Sequence, residues 1–403
     1  MSFAVALFIF IVFLNRYVFG FYVRLVRSAK CDDKVFDYEP TVTIVVPLYN
    51  EGPSIYQTIE SFTKLDYPKH KLFVTVVDDR STDNSYEYAC KAARDFPNVT
   101  VLRNDRNVGK RRGINRVVRE STSEIIVSVD SDTVVYPTAL RELIMRFTSP
   151  RIAAVGGRIH IANPNQNWLT KLYTIKNWLG SELLRNLERG VEQCMCLSGC
   201  LTAYRRSVLM ELEPILENRN ILGVPIKYGE DRYLTHLIVK NGYKTRLAMS
   251  AMAFSKAPPT LRQFFNQQLR WRRSNIVDYI WGLTHAWKFH PLLCLHYLSM
   301  ALVLFACPLV LVTHVMQREF IQLAMIHLAL ITVLAMVYHL GPSVRRLPPW
   351  LRVHPVWFLP MTVIMPISYI LLTPLALLTL DSSSWETRGH SGPALLPSKG
   401  APR

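Results

Sequence analysis

Ile125-Ile126-Val127-Ser128-Val129-Asp130-Ser131-Asp132 is the stretch that decides the fold. A short run of β-branched residues reads as a sheet strand, and its carboxyl end breaks into two carboxylates one residue apart. Thr43 to Pro47, Leu72 to Val77 and Val99 to Leu102 have the same character, with amphipathic stretches between them. That alternation predicts an α/β fold, a mostly parallel sheet with covering helices. In such sheets the ligand crevice lies beyond the carboxyl ends of the strands. The polar residues that end the strands therefore belong together: Asn50-Glu51, Asp78-Asp79, Asn104 to Arg112, and Asp130-Ser131-Asp132.

Outside this core the chain turns apolar. Of 403 residues 50% are hydrophobic, the top of the soluble range, so a membrane enters the reading early. Residues 3–14 and 17–23 are apolar and are followed by Arg24, Arg27 and Lys30, which predicts an N-terminal anchor with the downstream chain on the cytoplasmic side. Leu292 to Met316 and Phe320 to Leu340 are each long enough to cross a bilayer, and Arg345, Arg346 and Arg352 follow on the same cytoplasmic side. Val356 to Leu380 carries Pro360, Pro366 and Pro374, so a re-entrant path is expected there. The resulting division is a membrane anchor (1–30), a cytosolic domain ending in interfacial helices (40–290), a transmembrane or re-entrant region (291–380), and a tail (381–403).

Lys and Arg outnumber Asp and Glu by 47 to 30, and the net charge of +17 favours anionic partners. Charge alone does not choose among phosphates, nucleic acid and an acidic lipid face; the motifs below favour phosphates and membrane lipids, with no nucleic acid. Seven cysteines in no disulfide-rich pattern suit a reducing cytosol. Cys194, Cys196 and Cys200 crowd together but lack a fourth ligand at zinc-like spacing.

Several short motifs carry the chemistry. Asp130 and Asp132 are spaced to hold a hard divalent ion on a diphosphate. Asp78 and Asp79 end another strand, where they suit a base or ribose, or a helix cap. Asn107 to Gly113 is a basic, glycine-flanked loop whose Lys110 and Arg111 suit phosphates. It is not a Walker loop, because Arg follows Gly109-Lys110 where Ser or Thr is required. Gln267, Arg270 and Trp271 lie within one and a half turns of an expected helix, with Arg suited to a diphosphate and Trp to a sugar face. Between these lies Tyr228-Gly229-Glu230-Asp231-Arg232, before an expected helix from Tyr233 to Lys240.

The order Asp-Asp, Asp-Ser-Asp, Gly-Glu-Asp-Arg and Gln-x-x-Arg-Trp, with apolar segments behind it, resembles the processive family 2 glycosyltransferases, the membrane synthases of hyaluronan, chitin and cellulose. The resemblance runs from about Thr41 to Gly389. It implies a GT-A, Rossmann-like cytosolic domain with N- and C-terminal transmembrane helices, in a multi-pass plasma-membrane protein. It further implies UDP-sugar donors, Mg²⁺ or Mn²⁺, inversion at the anomeric carbon, and extrusion of a growing polysaccharide. Carried over, Asp231 is the catalytic base. Asp78, Asp79, Lys110, Arg111, Asp130 and Arg270 take the nucleotide-sugar, and Asp130 and Asp132 take the metal. Ser198, Gly199, Glu230, Gln267 and Trp271 take the acceptor. Trp385-Glu386-Thr387-Arg388 resembles the Trp-Gly-Thr-Arg gating motif, which adds Trp385, Thr387 and Arg388 to the donor site. Glu386 departs from that motif, and Cys200 stands where Ser-Gly-Pro has proline.

Two polymers compete. Gly-Glu-Asp-Arg followed by Tyr-Leu-Thr resembles chitin-oligosaccharide synthases. Ser198-Gly199, Ile221 to Pro225 and the tail motif resemble single-polypeptide hyaluronan synthases, which are the first expectation. UDP-N-acetylglucosamine is a donor in both. A transferase acting on a lipid carrier would not need Gln-x-x-Arg-Trp, and a non-catalytic membrane scaffold would not need these motifs at all.

Overall fold

The computed structural model describes residues 33–380 except 186, 187, 222, 227, 292, 296, 300–311, 314, 315, 318 and 319. The expected anchor and the tail with Trp385, Thr387 and Arg388 lie outside the described residues, as does much of the span expected from Leu292 to Met316.

Four strands occupy the expected positions: β1 (Val42–Leu48), β2 (Leu72–Asp78), β3 (Val99–Arg103) and β4 (Ile125–Ser128). They pair in parallel, so their carboxyl ends share one edge. Side chains alternate across the sheet as the strand period requires. From β1 and β4, Ile44, Val46, Ile125 and Val127 pack on helices α1 (Ser54–Thr63) and α2 (Ser85–Asp95). Val45 and Ile126 face the opposite layer with Val117 of α3 (Lys110–Glu120).

Beyond β4 the sheet departs from the mostly parallel expectation. It continues through β5 (Thr133–Val135), α4 (Ala139–Ile144), β6 (Ile152–Ile161), α5 (Trp168–Trp178), β7 (Thr202–Arg205), α6 (Arg206–Glu217), the small hairpin β8 (Asn220–Ile221) and β9 (Val224–Pro225), α7 (Glu230–Lys240) and β10 (Lys244–Ser255). The spatial order is β3-β2-β1-β4-β7-β6-β10-β5. β7 enters antiparallel between β4 and β6, and β5 closes the far edge antiparallel to β10. The antiparallel insertion of β7 brings the preceding loop, 196–200, to the carboxyl ends of the parallel strands.

The long helix α8 (Leu261–Leu283) follows, then α9 (Phe320–Leu340) and α10 (Met361–Leu378). α8 packs on α10 through Leu269, Ile276 and Tyr279 against Leu372 and Ala376. Trp178, Tyr338 and Phe358 stack edge to face and join α5 to α9 and the turn before α10. Among the described residues no helix is long and apolar enough to cross a membrane. α9 and α10 nonetheless expose large apolar side chains, including Ile321, Met325, Met336, Leu371 and Leu378.

Candidate functional site

The strand ends open onto a cavity of about 1180 Å³. Its walls come from the β1 exit (Tyr49, Glu51), the turn 106–109 and the first turn of α3 (Lys110 to Arg112, expected as loop but helical), Asp130 to Asp132, the loop 196–200, the start of α7, and one face of α8. Lys110, Arg111, Asp130, Asp132, Ser198, Gly199, Glu230, Asp231, Arg270 and Trp271 all line it. Asp78, Asp79 and Gln267 do not; all three are buried beside it. Asp79 accepts hydrogen bonds from the backbone N–H groups of Val108 and Gly109, both at 2.8 Å, and so fixes the basic loop. Asp78 pairs with Arg103 at 3.0 Å. Arg111 turns its guanidinium onto the carbonyls of Ile226 and Glu217.

α7 begins at Glu230, three residues before the expected start, because Gly229 takes a left-handed conformation (φ +70°) at its N-cap. The helix thus opens on Glu230 and Asp231, at the end where its dipole favours anions. Asp231 Oδ1 accepts from the Arg232 N–H at 2.8 Å, and Oδ2 accepts from the Gly199 N–H at 3.4 Å.

Lys110 organises the acids. Its Nζ lies 2.6 Å from Asp130 and 3.2 Å from Glu230. Burial works against its charge, but Asp130, Glu230 and Asp231 outweigh burial and hold its pKa well above the usual lysine value. The neighbouring carboxylates are driven apart. Glu230 is opposed by burial but ends below the usual range because Lys110 stabilises its charge. Asp231 is raised by burial and by Glu230, which outweigh Lys110 and Arg232. Adjacent acids pushed in opposite directions are a recurring mark of an acid–base site. A Cβ at Gly199 would stand 2.8 Å from Lys110 Nζ, so a side chain there would push the ammonium aside.

The sequence matches the family described as Glycosyl transferase family 2 over residues 43–213. An N-acetylglucosaminyltransferase of Rhizobium meliloti (strain 1021) is 30% identical over 367 residues, covering 90% of this chain and 84% of that protein. The chain belongs to glycosyl transferase family 2. An N-acetylglucosaminyltransferase of Neorhizobium galegae is 30% identical and covers 95% of this family 2 chain and 89% of its own length. Another, from Sinorhizobium fredii (strain NBRC 101917 / NGR234), is 33% identical over 60% of this chain, which spans only 59% of that relative. Among solved structures, the mannosyltransferase PcManGT from Pyrobaculum calidifontis, in complex with GDP-Man and Mn²⁺, superposes with a TM-score of 0.57 at 20% identity, over 92% of this chain and 98% of that one. The fold is therefore GT-A-like.

In this family 2 site Asp130 and Asp132 fit a divalent cation by donor chemistry. Both supply hard carboxylate oxygens at one strand end, Asp132 with Ser255 Oγ at 3.1 Å to orient it. Asp130 already carries a cation, the Lys110 ammonium, and accepts from the Cys200 thiol at 3.0 Å. Among the described residues no three His, Cys, Asp or Glu side chains form a metal-holding group. Cys194 and Cys196 are buried thiols with raised pKa values, that of Cys196 pushed up to about 11 by burial.

Three residues of the site, Arg185, Arg219 and Asp278, escaped the sequence reading, which held Arg106 only within the polar run Asn104 to Arg112. Arg106 and Arg185 line the cavity and, like Arg270, have no carboxylate partner among the described residues. Arg219 and Asp278 form a buried ion pair at 2.6 Å beneath the start of α7. The visible signal for Asp278 was a lone acid in the apolar run Ile276 to Trp281.

Proposed function

We propose that the chain is an inverting, membrane-bound N-acetylglucosaminyltransferase that uses UDP-N-acetylglucosamine to lengthen a chitin-type oligosaccharide. The observation that carries this reading is Asp231: a carboxylate with a raised pKa, on the wall of the cavity that also holds the Asp130–Asp132 pair and the free guanidinium of Arg270. A general base works best when its pKa lies toward the working pH, which burial achieves here. Asp231 takes the proton of the acceptor hydroxyl, whose oxygen attacks the anomeric carbon from the face opposite the nucleotide. Arg270 neutralises charge gathering on the departing diphosphate. Trp271, half exposed in the same cavity, offers a flat face to the acceptor sugar.

Asp130 and Asp132 would hold Mg²⁺ or Mn²⁺ together with the diphosphate, and the ion would supply charge neutralisation there. Asp78 and Asp79 keep their proposed nucleotide role through the loop they anchor. The acetylglucosamine donor is supported by the relatives' names. Those names favour the chitin-oligosaccharide reading over the hyaluronan one that the sequence put first. Processive extension and extrusion draw support from the apolar faces left exposed on α9 and α10.

Asp231→Asn is expected to lower transfer by about 10³-fold while UDP binding persists. Polymer synthesis retained by that variant would end the assignment. Donor use is tested by incubating purified protein with labelled UDP-N-acetylglucosamine, with and without UDP-glucuronate. Equal product in both supports the chitin-type reading, and a strict need for the second donor overturns it.

A further inference from the structure

Asp278 is a carboxylate with no exposure at all, on a helix otherwise apolar from Ile276 to Trp281. Its Oδ1 accepts from Arg219 Nη2 at 2.6 Å, and its Oδ2 accepts from Ser274 Oγ at 3.2 Å. Arg232 Nε lies 4.0 Å from the same Oδ2. Arg219 is itself buried and spends its other amino group on two carbonyls, donating to Tyr228 O at 2.7 Å and Gly229 O at 3.1 Å. Its guanidinium also stands 4.4 Å from the centre of the Tyr233 ring.

These contacts form two routes from one acid to the turn that carries Asp231. One passes through Arg219 to the carbonyls of the two residues before Glu230. The other passes through Arg232, the residue directly after Asp231. The planar guanidinium of Arg219 gives each of these bonds a fixed direction, which an ammonium would not. The acid end of both routes sits on α8, two turns beyond Arg270 and Trp271. A shift of the Asp278 cluster would therefore move the base relative to the groups that face the diphosphate and the acceptor.

We propose that Asp278 is a positioning residue for glycosyl transfer, fixing the Tyr228–Arg232 turn against α8 through Arg219 and Arg232. The inference rests on the assignment of Asp231 as the base. A buried ion pair adds little stability over apolar residues of similar volume, so the pair itself can be replaced, the cost being the Tyr228 and Gly229 carbonyls and the Arg232 charge left without partners. A pair that only held the fold would then be dispensable. One that aims the base would not.

The test uses the full chain and measures kcat and donor KM for UDP-N-acetylglucosamine with thermal unfolding alongside. The double variant Arg219→Met/Asp278→Leu is expected to fold with a lowered unfolding midpoint and to keep its donor KM, with kcat lower by about 100-fold, the usual effect of an ångström-scale misplacement. A second variant, Arg219→Lys, keeps the charge but loses the fork, and is expected to lose about tenfold in kcat at unchanged KM. A folded double variant with wild-type kcat overturns the proposal. Should the double variant fail to fold, Arg219→Lys decides in the same way. Wild-type protein that transfers nothing from this donor would instead overturn the donor reading, a separate result.

Discussion

Lys110 shows what a motif leaves unsaid. As part of a basic loop it reads as a phosphate ligand, yet its ammonium lies between Asp130 and Glu230 and acts on Asp231 from there. Residue type and spacing were legible, and the partner was not, because Glu230 is distant in sequence and reaches the loop only once α7 has docked. The arrangement has a pH consequence. Asp231 acts as a base only when ionised, and its pKa lies above the usual value of about 4 because of burial and Glu230, with Lys110 opposing them. Activity is therefore present above that raised pKa and fades as the pH falls through it. Lys110→Met removes the opposing charge and should move the acid limb of kcat/KM to higher pH, besides lowering its plateau. An unchanged acid limb in a pH–rate profile would show that Lys110 does not act on the base. Gly199→Ala is expected to weaken the same contact by crowding Nζ, a milder version of the effect.

At the scale of elements, β1, β2 and β4 followed from their β-branched runs, because a central parallel strand is apolar whatever its neighbours are, and β3, at the sheet edge, followed from Val99-Thr100-Val101. The antiparallel β7 did not follow. Its pairing with β4 and β6 is set by long-range register, which no local pattern carries. The start of α7 was missed by three residues for a local reason, the left-handed Gly229. That glycine is also where α7 meets α8: a Cβ on it would fall 1.9 Å from Ser274 Oγ and 2.8 Å from Ser274 Cβ. Gly229→Ala combines a left-handed alanine with overpacking, and should destabilise the fold by roughly 2–4 kcal/mol. Ser274→Gly removes the overlap but itself costs about 1 kcal/mol or more, as a glycine inside α8 that also loses the bond to Asp278, so the double variant should lose less than the two single losses added together. Denaturant unfolding of the single and double variants measures these losses. Losses in the two single variants that simply add in the double variant would show that the two helices do not meet through this contact.

For the whole molecule, the sequence predicted a catalytic domain with its product path behind it, and left open which side of a bilayer the tail occupies. α10 bears on this directly. It packs along α8, and beyond its end the Leu380 carbonyl accepts from the Tyr228 hydroxyl at 2.8 Å, while Thr379 Oγ1 accepts from Arg273 at 3.0 Å. The apolar segment 356–380 therefore ends against the turn that carries Asp231, on the catalytic domain's own side. On the membrane-bound reading, we expect the tail to share the cytosol with the donor. A cysteine introduced at Ser384 should react with a membrane-impermeant maleimide only after intact cells are permeabilised, judged against the wild-type background. Labelling from outside would require α10 to leave the contacts at Tyr228 and Arg273, and would overturn both the re-entrant path and the tail's role at the donor site.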